Sequence, residues 1–281
     1  MAPSQKITIL GRDHDEKGKI FLRSLDSPPV ALATSAGSTA KPNEDAVGVS
    51  VLGSELILAI ADGHWGREAS EIGVSKTVEF VGPDIPAVTE KEIQARLFSL
   101  FEQINDQLYA LASSTPGAAT PETTLVVGYV QETEDGRFLY WASFGDSYLF
   151  LLRKEMLNQL NSLNPRWLGY LSKLSEKADT RAQLMRYLTN EARYVGVANG
   201  LETGMEKLET GDIIFLCTDG LIGVDRDPNP AQLYGIRQLL LSDLPLEAKV
   251  EKSIAFALAR GEKDNVTCLA AQIVEKQAPA T

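Results

Sequence analysis

Two aspartates directly follow apolar runs in this sequence, and a glycine follows each of them. Asp62-Gly63 comes after Leu56–Ala61, and Asp219-Gly220 comes after Ile213–Cys217 and one threonine. Because such runs predict buried strands, each carboxylate is expected at a rigid strand end, where glycine lets the backbone turn sharply. The alternative is an ordinary turn, such as the one predicted at Asp135-Gly136, which has polar neighbours.

Two more acidic residues adjoin predicted strands. Asp45 precedes the apolar stretch Ala46–Leu52, and Asp264 precedes the final predicted strand, Asn265–Val274. Clustered carboxylates repel one another without a cation, and some of them stay protonated. Ligand sets made only of oxygen suit Mg²⁺ or Mn²⁺ better than Zn²⁺ or Cu²⁺. The sequence therefore predicts a divalent-cation site at four residues: Asp45, Asp62, Asp219 and Asp264.

Composition narrows the class of protein. With 27 Lys and Arg against 38 Asp and Glu, the net charge is −11, which argues against binding of nucleic acid. Cys217 and Cys268, the 2 cysteines, lie in apolar runs and are expected as buried free thiols. With 2 cysteines and 2 histidines, a Cys-rich zinc site is excluded.

The N-terminus and the hydropathy pattern bear on location. The sequence MAPSQKITIL contains no apolar stretch of signal-peptide length, and no run approaches the ~18 apolar residues of a membrane span. We therefore expect no membrane span and a cytoplasmic protein.

The order of predicted elements indicates the fold class. Thr89–Ser113 is predicted as an amphipathic helix that begins with a Thr89/Glu92 capping box, and its apolar stripe is assigned to the core. Strands are predicted before and after it, whereas Met156–Thr189 is predicted to be an irregular helical flap. Grouped strands and helices favour an α+β layered fold. We expect one domain over residues 1–281, with a flap insertion at about residues 155–195.

Six short motifs occur in an order that is typical of one enzyme family. They are Asn43-Glu44-Asp45, Ala61-Asp62-Gly63-His64-Trp65-Gly66, Thr123-Thr124, Phe144-Gly145-Asp146-Ser147, Cys217-Thr218-Asp219-Gly220-Leu221 and Asp264-Asn265-Val266-Thr267. Together they resemble the motifs of the PPM-type phosphatases, the protein phosphatase 2C family, and a member of bacterial type. The resemblance implies an α-β-β-α sandwich of two central, mostly antiparallel sheets flanked by helices.

The resemblance also implies a mechanism, metal-dependent hydrolysis of phosphoserine and phosphothreonine in proteins. Asp62 would bridge two Mn²⁺ or Mg²⁺ ions, and a water between them would attack phosphorus without forming a phosphoenzyme. The implied metal ligands are Asp62, Asp219, Asp264 and the carbonyl of Gly63, with Asp45 and Glu44 acting through water. His64 would protonate the leaving oxygen. The alternative is that His64 has only a structural role. Asp146 would hold a third metal or simply form a tight turn. The implied partners are a phosphoprotein substrate and a cognate Ser/Thr kinase.

The chain departs from the family pattern at several positions. Ala40 stands where the family has a phosphate-binding arginine, and Lys41 is the candidate replacement, although it lacks the bidentate fork of arginine. Trp65 and Glu122 replace glycines, and Gly223 stands where some members have an aspartate of the third metal site. Trp65 is expected to narrow or wall the cleft.

Two alternative functions stay open from the sequence. A pseudophosphatase would keep the fold as a partner-binding module, and the loss of arginine at Ala40 favours it, whereas the intact Asp62, Asp219 and Asp264 argue against it. A hydrolase of small phosphate esters would need the same residues. The segment Lys154–Asn190 lacks the residues that are usual in the family at this place, so the sequence does not indicate which protein is the substrate.

Overall fold

A computed structural model of the chain describes residues 5–39, 41–80, 89–114, 122–162, 200–223 and 229–275. Two six-stranded sheets form its centre, and neighbouring strands in both are antiparallel. The first sheet has the order β1-β4-β5-β8-β9-β12. Its strands are β1 Gln5–Leu10, β4 Ala46–Leu52, β5 Glu55–Ala61, β8 Leu125–Thr133, β9 Gly136–Phe144 and β12 Glu202–Leu208.

The second sheet has the order β11-β10-β13-β14-β3-β2. Its strands are β2 Phe21–Asp26, β3 Pro29–Ser35, β10 Tyr148–Arg153, β11 Met156–Gln159, β13 Ile213–Cys217 and β14 Val266–Gln272. A small third sheet pairs β6 Gly63–His64 with β7 Glu122–Thr123. The helices are α1 Glu68–Val78, α2 Glu90–Ser114, α3 Asp219–Ile222, α4 Pro230–Leu241 and α5 Leu246–Ala259.

Apolar side chains fill three layers between these elements. The alternation of side chains along each strand gives both sheets two apolar faces. Leu58 and Leu216 belong to the layer between the sheets, Phe101 of α2 packs in the layer on the outer face of the first sheet, and Ile254 of α5 packs on the second. This arrangement confirms the predicted α+β sandwich of two antiparallel sheets flanked by helices.

Helix α2 begins and packs as the sequence predicts. The backbone N–H of Thr89 donates to Oε2 of Glu92 at 2.9 Å, and the N–H of Glu92 donates back to the Thr89 hydroxyl at 3.4 Å. These reciprocal bonds are the capping box. The stripe at Ile93, Leu97 and Phe101 is buried, so it belongs to the core.

Strands β11 and β12 differ from the sequence prediction. Met156–Gln159 forms β11 and pairs with β10, so the prediction of a helix from Met156 was wrong at its start. Pairing with an existing sheet edge overrides the local helix preference of such a short segment. Strand β12 was not predicted, because it is rich in Glu and Lys and exposes alternate residues. Residues 163–199 of the predicted flap lie outside the described residues, as does Ala40. None of the described helices is both long and apolar enough to cross a membrane.

Candidate metal centre

Strand pairing places the four predicted aspartates in two pairs. Asp45 immediately precedes β4 and Asp62 immediately follows β5, and Ala46 of β4 lies opposite Ala61 of β5. In the second sheet, Cys217 at the end of β13 lies opposite Cys268 of β14, which brings the segments of Asp219 and Asp264 together. Each sheet therefore contributes one pair of carboxylates.

Asp45 links the two sheets. Its Oδ2 accepts hydrogen bonds from the hydroxyl of Thr267 at 2.6 Å and from the hydroxyl of Thr218 at 3.0 Å. Thr267 lies in β14 of the second sheet, and Thr218 follows β13. The side chain of Asp45 is only 1% exposed. The two hydroxyls therefore fix this carboxylate at the junction of the sheets.

Two threonines hold the backbone of Asp62. Its N–H donates to the hydroxyl of Thr124 at 3.0 Å, while its carbonyl accepts from the N–H of Thr124 at 2.9 Å and from the hydroxyl of Thr123 at 2.7 Å. These bonds explain why the Thr123-Thr124 motif accompanies the aspartate. They fix the position of Asp62 at the end of β5.

The glycines after Asp62 and Asp219 allow neighbouring backbone to approach closely. A Cβ on Gly63 would lie 2.3 Å from the carbonyl oxygen of Glu44, and one on Gly220 would lie 2.0 Å from that of Asn265. Neither glycine has a positive φ, so neither is required here for a left-handed backbone conformation. The missing side chain lets two site-bearing segments lie in contact.

Burial and mutual repulsion raise the pKa values of the carboxylates in this cluster. Burial, reinforced by the charges of Asp146 and Asp264, raises the pKa of Asp219 to about 8. Burial also raises the pKa of Asp45 to about 6, and it raises that of Asp62 well above its ordinary value, with Asp45 and Asp219 adding to the shift. Carboxylates that raise one another's pKa in this way share a negative electrostatic potential, which a bound cation would neutralise.

Asp146 belongs to the same electrostatic cluster. Burial raises its pKa to about 6, and the charge of Asp264 adds to the shift. It lies in the turn between β9 and β10, so both predicted roles, metal ligand and turn residue, are compatible with its position.

Lys41 contacts the cluster directly. Its Nζ lies 3.0 Å from Oδ1 of Asp264 and 3.4 Å from Oε2 of Glu44. Burial by itself would lower the pKa of Lys41, but the neighbouring carboxylates, Asp264 first, outweigh burial and raise it. The lysine is therefore cationic at neutral pH, and its side chain is 36% exposed, so a substrate can reach it.

Glu44 connects this cluster to the His64 loop. Its Oε1 accepts from the N–H of Gly66 at 2.7 Å, and its carbonyl accepts from the hydroxyl of Ser70. The N–H of Glu44 donates to Oδ1 of Asn265 at 2.9 Å. Glu44 thus orders the loop after Asp62 as well as standing beside the predicted ligands.

His64 lies between an acidic and an aromatic neighbour. Its Nδ1 is 3.9 Å from Oε2 of Glu122, and its ring centroid is 4.5 Å from that of Trp65. Glu122 was identified from the sequence only as a departure from the family pattern. The structure places it beside the predicted proton donor, across the β6–β7 pair.

The donor set suits a hard divalent cation, although the side chains do not form a ready cage. Within the described residues, no three His, Cys, Asp or Glu side chains are close enough together to hold a metal ion. Lys41 and the two threonine hydroxyls engage two of the carboxylates. However, Oδ1 of Asp45 and Oδ1 of Asp219 are buried and have no hydrogen-bond partner, which is costly unless a cation or donor approaches. Oxygen-only ligands of this kind fit Mg²⁺ or Mn²⁺.

Sequence reasoning missed the residues that support the aspartates. Thr218, Thr267 and Asn265 were identified only as members of motifs, and their side chains bind Asp45 and Glu44. Their position next to the aspartates in the sequence was the available signal. It indicated proximity but not which residue each side chain would contact.

Comparison with known proteins identifies the family. A family model described as Protein phosphatase 2C matches residues 34–275. Protein phosphatase PhpP of Streptococcus pneumoniae is 26% identical over 256 residues, covering 89% of this chain and 99% of PhpP.

Stp1, a serine/threonine phosphatase of Staphylococcus aureus, shares the fold with a TM-score of 0.67 at 20% identity, and the alignment covers 95% of this chain and 100% of the Stp1 chain. The catalytic domain of the phosphatase PstP, solved with 2 manganese ions, aligns with a TM-score of 0.64 at 24% identity, covering 92% and 100%. The chain belongs to the protein phosphatase 2C family.

Proposed function

We propose that this protein hydrolyses phosphoserine and phosphothreonine monoesters in proteins with two Mn²⁺ or Mg²⁺ ions. The observation that carries the proposal is the cluster of aspartates from both sheets, in which the buried Asp45 and Asp219 each have one carboxylate oxygen without a hydrogen-bond partner. The residues that would hold the ions are Asp62, Asp219, Asp264, the carbonyl of Gly63 and, through water, Asp45 and Glu44. Bound there, the ions would supply positive charge and an ionised water as nucleophile at neutral pH.

Lys41 would orient the phosphate. A cationic group that already contacts Asp264 and Glu44 stands at the edge of the cluster, where the ester oxygens must lie. Its ammonium group offers one point charge and lacks the two parallel bonds of an arginine, so the lysine fixes position less tightly than the family's usual residue would.

His64 would donate a proton to the leaving serine or threonine oxygen. The ring is set by the β6–β7 pair and by contacts with Glu122 and Trp65. A proton donor must lie within hydrogen-bond reach of the oxygen that leaves, and a position two residues after Asp62 is suitable for that role. Asp146 is the candidate ligand for a third ion.

The sequence adds three proposals on cellular context and organisation. The substrate is a phosphoprotein, which a Ser/Thr kinase must supply, and the protein works in the cytoplasm. The family match over residues 34–275 supports a single phosphatase domain that includes the flap at about residues 155–195.

The test is hydrolysis of a phosphothreonine peptide and of p-nitrophenyl phosphate, each with Mn²⁺ and with EDTA. We expect both substrates to be hydrolysed only with the metal, and the peptide with the higher kcat/KM. Hydrolysis of the small ester alone would favour the small-ester hydrolase. Inactivity toward both with Mn²⁺ would favour a pseudophosphatase.

A further inference from the structure

Trp65 exposes a large aromatic surface beside the candidate metal centre. The residue is 53% exposed, and its ring lies against His64, two residues after Asp62. An exposed indole is costly to leave in water and is favoured where a binding partner covers it. Its position, three residues after Asp62, makes the incoming substrate the natural partner.

The backbone of Trp65 is held in an unfavourable conformation. Its φ is +62°, in the left-handed region that residues with a Cβ rarely adopt. The chain is fixed on both sides, because His64 pairs with Glu122 across β6–β7 and the N–H of Gly66 donates to Glu44 at 2.7 Å. The surrounding contacts therefore impose backbone strain on a residue whose side chain is exposed next to the reacting groups. Such strain indicates a functional role for the side chain.

A carboxylate lies next to the loop that carries Trp65. A Cβ on Gly66 would lie 2.5 Å from Oε2 of Glu68, so this acidic group stands next to the Trp65 loop. Glu68 is exposed at the start of α1, and the whole chain carries a net charge of −11. An aromatic face with a carboxylate beside it suits a guanidinium group, which stacks on the ring and pairs with the acid.

We propose that Trp65 and Glu68 select substrates that carry an arginine close to the phosphorylated residue. The inference rests on the proposed phosphoprotein phosphatase activity and adds a substrate class to it. The Cα atom of Trp65 is at most about 11 Å from that of Asp62, since three extended residues span at most about 3.6 Å each. The arginine therefore lies one to three residues from the phosphorylated residue.

The test uses one series of phosphothreonine peptides. A reference peptide has alanine at the three positions on each side, and the others carry a single Arg, Leu or Glu at one of these positions. The measured quantity is kcat/KM for each peptide divided by kcat/KM for the reference. This ratio is independent of the active fraction of each preparation, so partial misfolding of a variant does not affect it.

We expect the wild type to prefer arginine at one or two positions by roughly five- to thirtyfold. Trp65→Ala should bring this ratio close to one, Trp65→Phe should keep part of it, and Glu68→Gln should lower it a fewfold. Tyr234→Ala is the matched control, because Tyr234 is also an exposed aromatic residue, 63% exposed, but lies on α4. It should leave the ratio unchanged.

Three results would overturn the inference while the proposed function stands: equal rates for all peptides, an arginine preference that survives Trp65→Ala, or a loss in Trp65→Ala that is equal for Leu and Arg peptides. If the wild type hydrolyses no peptide with Mn²⁺, the proposed function fails instead. Binding of the same peptides with a non-hydrolysable phosphonate, measured by fluorescence polarisation, then decides the role of Trp65 through the ratio of Kd values.

Discussion

Nζ of Lys41 lies 3.0 Å from Oδ1 of Asp264, although the two residues are 223 positions apart in the chain. The sequence suggested Lys41 only as a substitute for a phosphate-binding arginine. The contact shows that its ammonium group also neutralises a predicted metal ligand. In the proposed mechanism, Lys41 would therefore act on both the substrate phosphate and a cation, so its replacement should weaken substrate binding and strengthen cation binding.

Replacing Lys41 with alanine should separate these roles. Loss of a charged hydrogen bond to phosphate, worth about 1.5–3 kcal/mol, should raise KM roughly ten- to a hundredfold. Removing a positive charge beside Asp264 should at the same time lower the Mn²⁺ concentration needed for half-maximal activity. Steady-state kinetics over a Mn²⁺ titration measure both values. Lys41→Arg is the control that keeps the charge, and an unchanged KM in Lys41→Ala would show that other groups hold the phosphate.

Restoring the family residue at Ala40 should act in the opposite direction. Ala40→Arg adds a guanidinium that can bind the phosphate through two parallel hydrogen bonds. We expect KM to fall about tenfold and kcat to change less, because the proposed metal ions would carry the chemistry. Ala40→Lys, with a single charge, should give a smaller effect. Activity that exists only in Ala40→Arg would instead support the pseudophosphatase.

Asp62→Asn should abolish activity without unfolding the protein. The neutral amide removes the negative charge that Asp62 would offer to both proposed cations, so kcat should fall by several orders of magnitude. The protein should stay folded, because the Thr123 and Thr124 bonds involve only the backbone of residue 62. Asp219→Asn and Asp264→Asn should behave similarly. Asp135→Asn is the matched control, since Asp135 is an exposed aspartate that also precedes a glycine. Turnover near that of wild type in Asp62→Asn would place the active site elsewhere.

The metal-free protein should lose stability as pH rises. Asp45, Asp62 and Asp219 have pKa values in the folded state above the ordinary value near 4, reaching about 8 for Asp219. Between about pH 4 and pH 8 the folded state therefore binds more protons than the unfolded state, and its free energy of unfolding falls as pH increases.

Thermal unfolding in EDTA measures this effect. We expect Tm to be about 5 °C lower at pH 8 than at pH 5, and we expect Mn²⁺ to raise Tm more at pH 8, where the ligands ionise readily. Asp219→Asn should flatten the dependence. A metal-free Tm that increases over this range would contradict the raised pKa values of these carboxylates.

Trp65→Gly should stabilise the fold, whatever its effect on substrate choice. A left-handed φ costs a residue with a Cβ about 1 kcal/mol, and glycine removes that cost. We expect Tm to rise by about 2–4 °C. Trp65→Ala, which loses the ring but keeps the Cβ, should show no such gain, so the difference between the two variants isolates the backbone term. Lys154→Gly, at the other non-glycine position with positive φ among the described residues, is a second control.

Part of this architecture could be predicted because the sequence signal is local. The buried strands β5 and β13 are continuous apolar runs, and the capping box of α2 depends on residues three positions apart. Strand β11 could not be predicted in this way, because Met156–Gln159 becomes a strand only by pairing with β10. Its local preference gives no indication of that partner.

The candidate site shows the same division between local and distant information. Motif order indicated which aspartates belong to it. The contacts of Glu122 with His64 and of Thr218 with Asp45 depend on how loops from different elements meet. The close approach of Glu44 and Asn265 to the glycines after Asp62 and Asp219 was not predicted either, because it is not visible in a linear sequence.

The bond between Asp45 and Thr267 joins residues 222 positions apart and spans the two sheets. Neither sheet alone contains the proposed ligand set, so a chain with one sheet formed offers a cation only half a site. We therefore expect a cation to bind only after the two sheets have docked. A cation should slow the unfolding rate and leave the refolding rate nearly unchanged, which makes it a determinant of the lifetime of the native state.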